Sequence, residues 1–102
     1  MKSRNVRASG TLIRALLDER PGDVMNLSVT GALIEVMGKS FEVGKEASLI
    51  LVRETVTVTV NARIIRVARS GRLLRWQVAV AFVDTPPAAR KVISQMLRGA
   101  RD

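Results

Sequence analysis

Six residues in the middle of the chain restrict its fold more than any others. In Thr55-Val56-Thr57-Val58-Thr59-Val60 every side chain is β-branched, and apolar alternates with polar without a break. Such side chains are stiff in a helix and suit a pleated surface. A two-residue period puts the valines on one face and the threonines on the other. The segment reads as a strand with one buried face, and such a strand needs a sheet around it. Shorter stretches of the same character occur at 24–27, 31–36, 47–52, 64–67 and 78–82. Arg20-Pro21-Gly22-Asp23 has Pro and Gly where a type II turn wants them, and Ser70-Gly71 reads as a tight turn. Residues 10–18 fit either a short helix or a strand, because both alternating faces are largely apolar.

The chain ends in a different rhythm. Ala89, Val92, Ile93, Met96 and Leu97 fall on one helical face, with Arg90, Lys91, Gln95 and Arg98 on the other. Thr85 is placed to cap this helix, Pro86 to occupy its first position and Gly99 to end it. A helix with one apolar face needs a seat, and the open end or flank of a small barrel supplies one. The expected fold is therefore mainly β: a small six-stranded antiparallel β-barrel with a C-terminal α-helix. Closure also removes the strand edge that 56–60 would otherwise present. Residues 1–9 carry Lys2, Arg4 and Arg7 without apolar rhythm and read as a flexible basic N-terminal arm. The barrel and helix take 10–98, and 99–102 is a tail.

Composition excludes several kinds of chemistry. The 102 residues allow one domain. They include neither Cys nor His, which removes Cys/His zinc sites, thiol catalysis, disulfides and imidazole acid–base steps. Hydrophobic residues make up 47% and aromatics only 3% (Phe41, Trp76 and Phe82), so the core is expected to be aliphatic. No apolar run approaches the ~20 residues of a membrane helix. The chain reads as cytoplasmic, with no membrane insertion. Seventeen basic residues against nine acidic give a net charge of +8, and 13 of the 17 are arginine. Arginine suits planar, bidentate recognition of phosphates and guanine edges.

Asn26-x-Ser28-x-x-Gly31 is the most informative short pattern. On an extended chain Asn26 and Ser28 leave the same face and present an amide beside a hydroxyl. Gly31 supplies either a positive φ or close approach of the backbone to a ligand. The same residues also suit a turn held by Asx and Ser side chains. Asp18, Glu19 and Asp23 cluster near a turn but have no nucleophile or metal-binding partner, and they read as a solvated loop. Arg63, Arg66, Arg69, Arg72 and Arg75 recur every three residues, so on strands they alternate faces and cannot all line one groove. Trp76 either stacks on a base or covers one end of the barrel.

Taken together, the basic arm, the N-x-S-x-x-G pattern before an apolar strand, the later strand pair and the terminal helix resemble a PilZ domain over residues 4 to about 97. The resemblance implies a non-catalytic bacterial second-messenger receptor for cyclic di-GMP, with no cofactor or metal. Arg4 and Arg7 would clamp bases and phosphates, Asn26 and Ser28 would hold a guanine edge, and Gly31 would let the backbone approach. Arg66 lies on a strand that the family places near the ligand. With no second domain in the 102 residues, the output would reach a partner effector protein through a conformational change.

Two positions depart from the family pattern. The arm reads R-x-x-R where the family has R-x-x-x-R, and Ala79 stands where many members have glycine. On an extended arm a spacing of three puts the two arginines on opposite faces. Arg7 lies at the better interval from Asn26. The altered spacing leaves open a PilZ-like interaction adaptor that has lost nucleotide binding. Direct nucleic-acid binding fits the charge, but single-strand binders use aromatic stacking platforms that three aromatics hardly supply.

Overall fold

Strands with one apolar face must cover it, and here six of them do so by closing on themselves. The computed structural model describes residues 12–101. Its elements are β1 Arg14–Leu17, β2 Arg20–Leu27, β3 Gly31–Met37, β4 Glu46–Arg53, β5 Val56–Arg69, β6 Arg75–Val83 and α1 Pro87–Arg101. The strands form a closed barrel in the order β1-β2-β3-β6-β5-β4, every neighbouring pair antiparallel. The first nine residues, with the expected arm and its Arg4 and Arg7, lie outside the described residues. So does Gly10.

The core is aliphatic, as the composition requires. Ile13, Leu17, Ile34, Leu49, Leu51, Ile64 and Val78 are essentially inaccessible to solvent. Val58 and Val60 are buried by the alternation of β5, while Val56 at its start stays exposed beside the turn. The three aromatics pack against the rim of the core. Ala89, Ile93 and Met96 of α1 complete it, with the helix lying against β5. No described helix is long and apolar enough to cross a membrane.

Two β-bulges fix the directions of the side chains. On β2, Val24 faces Ile34 and Asn26 faces Leu33, so Met25 is an extra residue. On β5, Ile64 faces Val80 and Arg66 faces Ala79, so Ile65 is extra. Each bulge reverses the alternation downstream of it. Val24 and Leu27, three apart, are therefore both buried, and Ile64 and the half-buried Val67 both pack on the core.

Three local expectations need correction. The Pro21-Gly22 pair is not a turn but part of β2. Pairing with β3 begins only at Gly22, so Pro21 has a strand partner on one side alone, Leu16 of β1. Proline is tolerated at such a half-paired position. A Cβ on Gly22 would come within 2.7 Å of the Glu35 carbonyl oxygen, so close packing on β3 explains this glycine. The turn is instead Asp18-Glu19, both at positive φ (50° and 70°), as a two-residue hairpin loop demands. Asp18 is tied to β4: its N–H donates to the Ser48 carbonyl at 2.8 Å, and its Oδ1 accepts the Ser48 N–H at 2.9 Å. The acidic cluster is therefore partly structural, with Asp23 in β2 lying 3.7 Å from Arg14.

The helix also starts and stops later than its sequence signals suggest. The Arg90 N–H donates to the Pro86 carbonyl at 3.0 Å, so Pro86 takes the capping position and Pro87 the first helical one. Gly99 does not end α1, which continues to Arg101.

Two substitutions test the core and the sheet. Ile93→Ala should cost about 2–5 kcal/mol, or about 4–8 °C of Tm per kcal/mol for a domain of this size. The exposed Gln95→Ala should stay within about 0.5 kcal/mol, and thermal unfolding compares the two. Gly31→Ala would drive a methyl into the Val80 carbonyl oxygen of β6. We expect it to cost about 1–3 kcal/mol as an overpacked site, read as a shift in the urea midpoint.

Candidate functional site

The bulges place their unpaired residues on either side of one outward-facing row. Along that row Asn26, Leu33, Ala79 and Arg66 are successive neighbours across β2, β3, β6 and β5. One step on, the outward row runs Gly31, Ala81, Arg63 and Glu46. Small residues at 31 and 81 leave a shallow floor, Ile65 forms a wall on one side, and 26–30 forms the wall opposite. The result is a groove of about 420 Å³, with Asn26, Ser28 and Thr30 as its polar lining.

The structure thus brings Asn26, Ser28 and Gly31 to one place, although their local roles differ. Asn26 is half-buried on β2. Ser28 follows the strand and organises the β2–β3 turn. Its Oγ accepts the N–H groups of Thr30 and Gly31, each at 3.2 Å, and lies 3.2 Å from Thr30 Oγ1. The Ser28 N–H closes the turn on the Gly31 carbonyl at 2.9 Å. Both sequence readings of the pattern are therefore present: a turn held by a serine hydroxyl, and polar groups on a groove. Gly31 differs from either expectation. Its φ is not positive, and the backbone that approaches it is β6, where Val80 leaves no room for a Cβ.

Arg66 is exposed at the end of the Asn26 row. Arg63 pairs with Glu46 at 2.7 Å, both side chains about half exposed, which makes a weak surface ion pair. Trp76 does not reach the groove. It pairs with Val36 and Arg69 at the far end of the sheet, donates Nε1–H to the Gly38 carbonyl at 2.7 Å and lies under the Arg69 guanidinium. Of its two sequence readings, the end-covering one describes it.

Sequence reasoning missed Thr30, Ile65 and Arg90. The adjacent isoleucines 64 and 65, which break the two-residue period, were the available sign of the second bulge. A neighbouring cavity of about 250 Å³ shares Thr30 with the groove and is lined by Val29, Phe82, Thr85 and Arg90. No charged or nucleophilic side chain other than hydroxyls is among the described residues of the main groove. No group of three or more potential metal ligands occurs among the described residues either. The arrangement can recognise a flat ligand with hydrogen-bonding edges; charge must come from arginines at its margins.

Comparisons with known proteins bear on the family and on the fold. The PilZ domain model matches residues 4–99. The fold is similar to the solved structure of the Bacillus subtilis inhibitor of motility (MotI/DgrA), with a TM-score of 0.72 and 17% sequence identity, over 99% of this chain and 51% of that one. The chain thus spans about half the length of that protein, and the likeness concerns the fold. No curated protein matches the sequence. A closed barrel with a terminal helix, its N-x-S-x-x-G pattern on an outward groove and a family match over nearly its whole length place this chain in the PilZ domain family.

Proposed function

We propose that the chain is a non-catalytic receptor for cyclic di-GMP. The observation that carries this reading is the convergence of Asn26, Ser28 and Gly31 of the family signature on a single groove. A guanine offers O6 and N7 acceptors and amino donors on its edges. Asn26, with both an amide oxygen and an amide NH₂, complements such an edge. The floor at Gly31 and Ala81 is shallow enough for a flat base.

Arg4 and Arg7 supply the cations for phosphates and guanine faces. Arg7, at the better interval from Asn26, is the principal clamp. Engagement of Arg4 and Arg7 by the ligand then presents a changed surface to an effector protein. The shortened R-x-x-R spacing favours one alternative, an interaction adaptor that no longer binds nucleotide. A nucleic-acid-binding barrel is disfavoured by the absence of aromatic side chains among the described residues of the groove.

Calorimetric titration with cyclic di-GMP at moderate salt separates these readings. The expected result is saturable binding that GTP does not reproduce and that Arg7→Ala abolishes. Absence of binding up to about 100 μM, roughly −5.5 kcal/mol, would instead identify the adaptor. Ser28→Ala should weaken binding and also lower stability by about 0.5–1.5 kcal/mol, because the Thr30 and Gly31 N–H groups lose their acceptor. Asn26→Ala should weaken binding with a smaller change in the urea midpoint.

A further inference from the structure

The opposite end of the β3–β6 ladder carries a feature that neither the core nor the groove uses. At the β5–β6 hairpin tip Leu73 and Leu74 are 86% and 61% exposed, and Met37, beside them, is 55% exposed. Leu74 also has a positive φ of 58°. An L side chain is strained there unless local hydrogen bonding or burial compensates, and Gly or Asn would serve stability better. An exposed leucine in that conformation gains no burial in return.

The tip is nevertheless firmly built. The Leu74 carbonyl accepts the Gly38 N–H at 2.8 Å, and the Ser70 N–H donates to the Arg75 carbonyl at 3.1 Å. Glu35, nearly buried, accepts the Ser70 hydroxyl at 2.9 Å and lies 3.8 Å from Arg75. Arg20 clamps the adjoining loop by donating to the Met37 and Lys39 carbonyls and covering the Phe41 ring at 4.3 Å. Around the leucines stand the exposed cations Lys39, Arg69 and Arg72, and segments 37–41 and 69–76 contain no acidic residue.

We infer that this tip is a docking wedge for an anionic lipid surface, with Leu73, Leu74 and Met37 entering the interface and Lys39, Arg69 and Arg72 meeting the headgroups. A few apolar side chains combined with a basic collar suffice for reversible binding to anionic bilayers. A protein interface of ordinary size buries about 800 Å² per partner, far more than three side chains on a convex turn can offer. The sequence excluded a spanning helix, and an interfacial wedge needs none. Met37 pairs with Arg75 and Gly31 with Ala81, so wedge and groove lie about 20 Å apart at the rise of an extended strand. Both can be occupied together.

The test is co-sedimentation of the full chain with vesicles of phosphatidylglycerol and phosphatidylcholine, against phosphatidylcholine alone. The wedge requires binding to the anionic vesicles only, weakened by added salt, and at least tenfold weaker in a Leu73→Ser, Leu74→Asn double variant. That variant should melt no lower than the parent, because Asn accepts the positive φ that strains leucine. Undiminished vesicle binding by the double variant would overturn the wedge in favour of charge alone. Failure of the unaltered chain to bind the anionic vesicles would overturn it outright. The cyclic di-GMP titration is independent of each outcome.

Discussion

The demands of a closed core set the two bulges, and the candidate binding face follows from them. Inside a barrel every strand must send its apolar residues inward, yet β2 carries them at Val24 and Leu27 and β5 at Ile64 and Val67. Residues three apart cannot share a face of a regular strand. An extra residue at Met25 and another at Ile65 resolve the conflict. The same two insertions turn Asn26 outward and raise Ile65 above the sheet, one on each side of β3 and β6. The groove is thus a by-product of burying the core, and Gly31 and Ala81 keep its floor low.

The molecule separates its chemical resources by position. Hydrogen-bonding groups without formal charge line the groove. The arginines stand at its margins or at the far hairpin, and several are already engaged. Arg63 faces Glu46, Arg75 faces Glu35, and Arg20 holds carbonyls of the loop after β3. A ligand with two anionic phosphates therefore relies on cations that the barrel has not committed, and the basic residues ahead of β1 are the proposed source. In the proposed reading the groove recognises shape and edge, and charge is supplied from outside it.

Much of this was legible in the sequence because it rests on periodicity. The Thr-Val repeat announced β5, the 89–97 stripe announced α1, and the N-x-S-x-x-G pattern marked the residues now found at the groove. What escaped depends on tertiary packing. Asp18-Glu19 is an unusual pair for a positive-φ turn, and it persists because Asp18 bonds to Ser48 thirty residues away. Pro21-Gly22 looked like a turn because local propensity cannot show that β3 starts pairing one residue later. Gly31 was flagged for a positive φ or for close approach of the backbone to a ligand, whereas the backbone packed against it belongs to β6. Of the bulges, only the second left a local sign, the adjacent isoleucines 64 and 65; the cause of both is the inward demand of the whole barrel, to which no short window has access.

Backbone amide chemical shifts during titration with cyclic di-GMP would test the groove most directly. Ligand binding at the bulge-framed face should move Asn26, Thr30, Gly31, Ile65 and Ala81 together, along with residues of the basic arm, and leave Leu49 and Leu51 on the opposite wall unchanged. Saturable shifts that spare those five amides, or that cluster at Arg72 to Arg75, would contradict the assignment of the groove.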